Sequence, residues 1–538
     1  MPVIFIIGSI IGIYSYSIFF LGIFSLLTQN YLITVSILFL ISLIIVGIVH
    51  RSNIVLPKLR SHKLFSLATF LVVLFSIQAG VNFLGALIPE TAFDALWYHL
   101  TLPKMYLLES EIKFIPGGLF YYSAMPKLVE MLYIPMISFW GEIAAKVVHF
   151  SFGLGTTYVL FRISRLFVSH KISLLVVVLF YSNLVVAWES TTAYVDLGRA
   201  FYESLALFAF ILWIRKSGRK YIILTGIMMG FAISVKYLAL SSFLIFLVII
   251  LLLQTKQKLP RRVLGLNSLY YIVPALIIPM PWFIFSYMAT GNPFYPSFST
   301  DINAISFSLA QLSPVNIING SWSLLMRSAD PITPVYLITI PLVASLYGKA
   351  KLEVKALLIF AFLSLSALYF LPQIGGGRFI IPYLPLYSLI IGIILHQYRK
   401  AKIAQILIVC IILSSTISIM YRSLAMVDAV PYLLGRESKL EYLTSNLNFQ
   451  FGDFYDTDGY FSKNIIEKDK VLLLGFHNLY YLEFPFIHES MIKNGETFTH
   501  IATQGGVLPL RFKDFQKVYE NQRTGVILYS GGGKTWKY

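Results

Sequence analysis

Apolar side chains come in unbroken blocks of roughly 17 to 25 residues, the length an α-helix needs to cross about 30 Å of hydrocarbon. Short basic stretches separate them. In lipid every backbone N–H and C=O must find its partner within the protein, so only helices or closed barrels span. Barrel strands would alternate over about ten residues, and these blocks do not. Composition agrees, with 57% hydrophobic and 12% charged residues, where soluble domains carry about a quarter charged.

Thirteen spans are expected, near 3–26, 31–49, 64–84, 142–161, 172–188, 194–214, 221–235, 237–253, 267–288, 333–348, 356–371, 379–395 and 403–420. Six stretches between them are basic: 51–63, 162–171, 215–220, 254–262, 349–355 and 396–402. They hold 21 Lys and Arg against the single acid Glu353, and the positive-inside rule places all six in the cytoplasm. The net charge of +17 is therefore an orientation signal, and no nucleic-acid partner is expected. Residues 1–49 carry no ionisable side chain except tyrosines, so an inside N-terminus follows only by counting back from Arg51. With no basic n-region and no small-residue cleavage site, the first block is expected to be a retained span. The single cysteine, Cys410, lies inside an apolar block and has no disulfide partner in the chain.

The expected architecture is an all-α polytopic membrane protein of about 13 transmembrane helices, N-terminus in and C-terminus out, with a small C-terminal α/β extracytoplasmic domain. Residues 1–420 form the membrane module with outer segments 85–141 and 289–332, and residues 421–538 form the soluble domain. Loops this long are usually functional. The tail reads as a helix over 436–446, a strand over 471–474, a second helix over 512–522 and a final strand-like run over 526–529. Its Gly531 to Thr535 run mimics a phosphate loop, but Leu528 stands where the first glycine is needed and no helix is expected to follow.

Ionisable groups at membrane depth are costly and tend to mark a site. At the start of the first outer segment, Glu90, Asp94 and Tyr98 would share one face if the stretch were helical. Paired carboxylates suit proton abstraction or cation binding, while an interfacial helix anchored by Trp97 and Tyr98 accounts for the same pattern. Farther along, Asp196, Arg199 and Glu203 lie on one helical stripe. Arg199 and Glu203, four apart, form a structural pair, which leaves Asp196 as the candidate. Lys236 interrupts a 33-residue apolar run from Tyr221 to Leu253. As one helix that run would measure about 50 Å, too long for a single crossing, and basic stretches flank it on both sides, so the chain must fold back at Lys236. Its ammonium either reaches a wet outer cavity or snorkels to lipid headgroups. Finally, Gly375, Gly376 and Gly377 precede Arg378 in a setting that suits phosphate, whether of a ligand or of bulk lipid. These residues together suit a lipid-phosphate substrate. No zinc-spaced His/Cys cluster and no G-x-S-x-G elbow occurs in the chain.

The order of these motifs resembles the GT-C superfamily of polytopic glycosyltransferases. The runs concerned are Glu90 to Leu107, Tyr194-Val195-Asp196, Gly230 to Leu240, Gly291 to Pro296 and Arg378 to Pro385. The pattern is similar to bacterial members related to protein O-mannosyltransferases and to the aminoarabinose transferase that modifies lipid A. The tail's Gly435 to Leu443 and Val471 to Gly475 look like the soluble outer portion such proteins carry. The resemblance implies transfer of a sugar from a polyprenyl-phosphate donor to a lipid, glycan or protein acceptor, with inversion, on the extracytoplasmic side of the cell membrane. It implies catalytic roles for Asp94, as general base, and for Asp196. Substrate-binding roles fall to Lys236 and Arg378 near the donor phosphate, and to Glu90, Tyr98, His99, Lys104 and Glu189. The first outer segment carries Glu90-x-x-x-Asp94 and not a tight acidic pair, which leaves a metal requirement open; no cofactor is demanded, and a divalent cation is compatible with the pattern. The alternative is a transporter or flippase for a lipid-linked substrate, whose usual mark, corresponding broken helices in two repeats, is not visible in the sequence.

Overall fold

The computed structural model describes residues 2–51, 66–258, 260–297, 313–326, 331–348, 350–370, 373–532 and 535–538. Most of the first basic stretch, much of the second outer segment, and Gly533 and Lys534 of the glycine-rich tail lie outside the described residues.

Helices α1 (Val3–Ile23), α2 (Gln29–Val49) and α3 (Leu67–Ala86) follow the first three apolar blocks. Ser66 starts α3 by accepting the Thr69 N–H at 3.2 Å, filling one of the orphan donors of a helix N-terminus. The first outer segment then carries a π turn (Ala95–His99), α4 (Thr101–Glu109), a 3-10 turn (Tyr121–Ala124) and α5 (Leu128–Trp140). The chain continues through α6 (Glu142–Ser164), α7 (His170–Tyr181), α8 (Leu184–Glu189) and α9 (Asp196–Lys216). Next come α10 (Arg219–Val235), α11 (Ala239–Lys256), α12 (Arg261–Ile277) and α13 (Met280–Thr290). Then follow α14 (Pro314–Met326), α15 (Val335–Ile338), α16 (Ile340–Tyr347), α17 (Leu352–Phe370), a 3-10 stretch (Gln373–Tyr383), α18 (Leu384–Gln397) and α19 (Lys402–Ala425).

Each of the thirteen blocks falls on helix, and the 221–253 run breaks at Lys236, as its length requires. Among the described residues nine helices are long and apolar enough to cross a membrane, or ten if α12 and α13, bent by 52°, count as one. The protein is a multi-pass membrane protein. Helix α9 is the axis of the bundle, with 94% of its apolar window buried, whereas α2 has 6% and turns Ile and Leu side chains outward, as a lipid-facing helix does. Close helix approach relies on small residues: a Cβ at Gly226 on α10 would lie 2.3 Å from the Tyr271 carbonyl oxygen of α12.

The tail departs from expectation in two places. Helix α19 runs on to Ala425, past the expected boundary at 420. Residues 512–522 are not helical: they hold a 3-10 turn (Leu510–Phe512) and then a strand, Gln516–Asn521. That strand pairs antiparallel with Val526–Ser530 through the tight return after Asn521, and Val518 and Tyr519 favour strand over helix. The expected helix at 436–446 is present as Lys439–Asn446. It opens on a capping box in which the Glu441 N–H donates to Ser438 Oγ at 3.2 Å and the Ser438 N–H to the Glu441 carboxylate at 2.8 Å. The strands are β1 (Val471–Leu474), β2 (Phe486–His488), β3 (Thr497–Phe498), β4 (His500–Gln504), β5 (Gln516–Asn521), β6 (Val526–Ser530) and β7 (Trp536–Lys537). The main sheet has the order β2-β1-β4-β6-β5, parallel across β2, β1 and β4 and antiparallel beyond. The glycine-rich tail leads into β7, not into the helix a phosphate loop would need.

Candidate functional site

Asp196 is the first residue of α9, where the helix dipole favours a carboxylate. Lys236 caps the end of α10, and its ammonium donates to both Asp196 oxygens, at 2.9 and 3.2 Å. Asp94 lies at the entry to the π turn and Arg378 in the 3-10 stretch before α18; Nη2 of Arg378 donates to Asp94 Oδ2. Two acids and two bases from four separate elements thus form two ion pairs.

Aromatic rings join the pairs. Phe379 lies under both cations, 5.0 Å from Lys236 Nζ and 5.6 Å from the Arg378 guanidinium, which also stands 4.9 Å from the Tyr194 ring. The Tyr194 hydroxyl accepts the Asp94 backbone N–H at 3.2 Å, and the Tyr98 hydroxyl donates to Asp94 Oδ2 at 3.4 Å. Arg378 Nε is buried without an acceptor among the described residues, so this cation retains a donor for a further oxygen. Glu189 is wholly buried beside these four residues, and among the described residues no hydrogen-bond donor reaches either of its oxygens. The nearest group, His149 Nε2 at 3.7 Å, is occupied: it accepts the Leu197 N–H at 3.1 Å while Nδ1 donates to the Thr192 carbonyl at 2.9 Å.

Three expected substrate contacts are engaged elsewhere. Glu90 does not share a helical face with Asp94, because helix starts only at Phe93. Its carboxylate accepts the Thr91 and Ala92 N–H groups at 3.0 and 2.9 Å and the Ala193 N–H at 2.6 Å. It thereby caps the turn and ties the first outer segment to the entry of α9. Lys104 points at the C-terminal domain: it donates to the carbonyls of Tyr480 and Leu482, both at 2.8 Å, and to Glu483 at 3.0 Å. All three ammonium protons are used, so Lys104 pins the soluble domain to the first outer segment. His99 is buried, with Nδ1 at 2.9 Å from Glu130.

Tyr122, Glu130 and His149 lie outside the residues the sequence singles out. Tyr194 and Phe379 lie inside the Tyr194-Val195-Asp196 and Arg378 to Pro385 runs without a role assigned to them, and an aromatic beside an out-of-place charge is the signal for that role. Tyr122 stacks on Tyr98 at 4.0 Å from a stretch with no charge to mark it. No three His, Cys, Asp or Glu side chains gather as a metal site among the described residues. Asp94 and Asp196 each already hold a side-chain cation, so this donor set does not fit a resident divalent ion.

The arrangement of helices has a counterpart among solved structures. ArnT from Cupriavidus metallidurans in the apo state aligns over 87% of this chain and 99% of its own, with a TM-score of 0.56 at 15% identity. The chain has the fold of ArnT. The same transferase bound to undecaprenyl phosphate aligns over 87% of this chain and 98% of its own, with a TM-score of 0.53 at 12% identity. The oligosaccharyltransferase AglB of Archaeoglobus fulgidus aligns over 86% and 74%, with a TM-score of 0.46 at 13% identity. At the level of fold, the likeness to ArnT agrees with the GT-C resemblance read from the motifs. No family model matches the chain, and no curated protein matches it in sequence.

Proposed function

We propose that the protein is a membrane glycosyltransferase that moves a sugar from a polyprenyl-phosphate donor to an acceptor on the outer face. The single observation that carries this reading is the pair of ion pairs, Asp94 with Arg378 and Asp196 with Lys236, gathered around Phe379 in a chain with the fold of ArnT. The charge bias of the six basic stretches, read with an odd count of crossings, supports a cluster toward the outer face of the plasma or inner membrane. Undecaprenyl phosphate bound to ArnT supports a lipid phosphate as the ligand class.

The geometry gives each charge a task. A donor phosphate competes with the carboxylates for the two cations, and the spare Arg378 Nε–H offers it a contact the resting pair leaves unused. Drawing Arg378 away exposes the Asp94 carboxylate, held by the Tyr98 hydroxyl and near the acceptor. The acceptor oxygen attacks the anomeric carbon, its proton passes to Asp94, and the sugar–phosphate C–O bond breaks with the electron pair leaving on the phosphate. Lys236 and Arg378 stabilise that developing charge. Asp196, partner of Lys236, keeps the ammonium aimed before the donor arrives. Glu189, buried beside them, sits within electrostatic reach of all four charges.

The test is transfer of radiolabelled sugar from polyprenyl-phosphate donors in membranes carrying wild type or Asp94→Asn at matched expression. Loss of a general base lowers the rate by about 10²- to 10⁴-fold, with donor binding retained. Equal transfer by both proteins removes Asp94 from the chemistry, and the absence of donor cleavage by wild type overturns the reading.

A further inference from the structure

The C-terminal domain and the first outer segment enclose an open cleft of about 580 Å³, a ligand-sized volume that the four charges do not use. One side is aromatic. The rings of Trp97 and His477 lie 4.4 Å apart, and Phe93 stacks on His477 at 4.7 Å with the planes 25° apart. Trp97 is fixed from behind, its indole N–H donating to the Leu119 carbonyl at 3.0 Å. At the rim stands Phe451, 67% exposed. The other side is rich in acceptors: Gln450 and Glu489 are both exposed, and Glu489 spends one oxygen on the Gly475 N–H at 2.8 Å. A second cavity of about 260 Å³ shares Gln450 and Gly475 with the first and runs along the carboxyl ends of β1 and β4 to Gln504. Ligands bind at the carboxyl ends of parallel strands. There Gln504, 6% exposed, shares the two N–H bonds of Nε2 among three carbonyls within reach and has no donor to Oε1 among the described residues.

Rigid ring faces beside carboxylate and amide acceptors match one ligand chemistry. A sugar offers C–H faces to aromatic rings and hydroxyl donors to Glu489, Gln450 and Gln504. A lipid tail would strip water from these polar groups without pairing them, and a phosphate would meet the Glu489 charge. The geometry points to this cleft as the seat of a saccharide acceptor, an inference that rests on the proposed glycosyl transfer. Phe93 and Trp97 lie one residue before and three after Asp94, so the ring platform and the carboxylate belong to the same turn of the first outer segment. The platform is held in register: Gly117, at φ +99°, packs so closely on the Ser490 carbonyl that a Cβ would lie 1.8 Å from its oxygen.

Calorimetric titration of the purified full-length protein with neutral, acidic and N-acetylated soluble oligosaccharides, and with a control peptide, tests the inference. Donor cleavage to free sugar, measured without acceptor, runs in parallel. At least one oligosaccharide is expected to bind wild type and Asp94→Asn equally, and His477→Ala and Phe451→Ala to weaken that binding tenfold or more while donor cleavage is unchanged. Phe451 is exposed enough that its replacement leaves folding intact. Absence of saccharide binding, binding unchanged in both cleft variants, or binding of the peptide alone overturns the assignment. Saccharide binding by a protein that cleaves no donor keeps the sugar site and overturns the transferase reading instead.

Discussion

Lys236 spans both carboxylate oxygens of Asp196, at 2.9 and 3.2 Å, although forty residues and the whole of helices α9 and α10 separate them in the chain. Neither side chain is stable alone where it sits: Asp196 is wholly buried, and Lys236 interrupts an apolar run. Removing one partner of a buried pair leaves an uncompensated charge, at a cost of about 3–5 kcal/mol. Lys236→Met is therefore expected to lower thermal stability strongly in detergent, and the double variant Lys236→Met with Asp196→Asn to recover part of the loss. Additive losses in a double-mutant cycle would show the two residues to be uncoupled.

Arg378→Lys keeps the charge and loses the planar fork, including Nε. The donor KM is expected to rise roughly ten- to a hundredfold, the worth of one hydrogen bond to a charged group at about 1.5–3 kcal/mol, with a smaller change in kcat. Steady-state kinetics with the donor varied distinguish this from a general loss of folded enzyme, which would lower kcat alone.

The soluble domain is pinned to the first outer segment by Lys104 and by the Gly117 contact with Ser490. Lys104→Met and Gly117→Ala are both expected to loosen that docking, the second by overpacking at about 1–3 kcal/mol. Amide hydrogen exchange should rise in 112–124 and in 478–490. Were Lys104 a donor ligand instead, its replacement would raise the donor KM and leave exchange unchanged.

His488 gives the soluble domain a pH dependence. Its Nε2 donates to the Phe476 carbonyl at 2.8 Å, and Nδ1 accepts the Ser490 N–H at 3.1 Å, so the folded state holds the neutral ring. Burial lowers its pKa from the usual 6.5, the Phe476 carbonyl and Glu489 opposing the shift and nearby His477 adding to it. A depressed folded pKa means that the unfolded chain takes up the proton first. The contribution to stability is then fully present above pH 6.5 and declines as pH falls through the window below it. Thermal unfolding between pH 7.5 and 5 should show that decline in wild type and a shallower one in His488→Gln.

Some of this was legible in sequence because it depends on local length and spacing. The apolar blocks set the spans, the 33-residue run forced the break at Lys236, and Arg199 found Glu203 four residues on, at 2.6 Å. The strand at Gln516–Asn521 was misread because six residues with one exposed face carry too weak a period to distinguish strand from helix. The helical face expected to join Glu90 to Asp94 is absent because an acid just before a helix can serve the helix itself, by taking its first N–H groups.

Sequence alone thus determined a polytopic helical chain, the spacing of its basic stretches between apolar blocks and the identity of four charges out of place in lipid. Tertiary structure decided the partners: Asp94 with Arg378 across 284 residues, Asp196 with Lys236, and Lys104 with the Tyr480–Glu483 segment 376 and more residues away. The physical reason is that hydrophobic length is a property of each segment by itself. The pairing of buried charges belongs to the assembled bundle, where each ion settles on whichever opposite charge packing brings within hydrogen-bond reach.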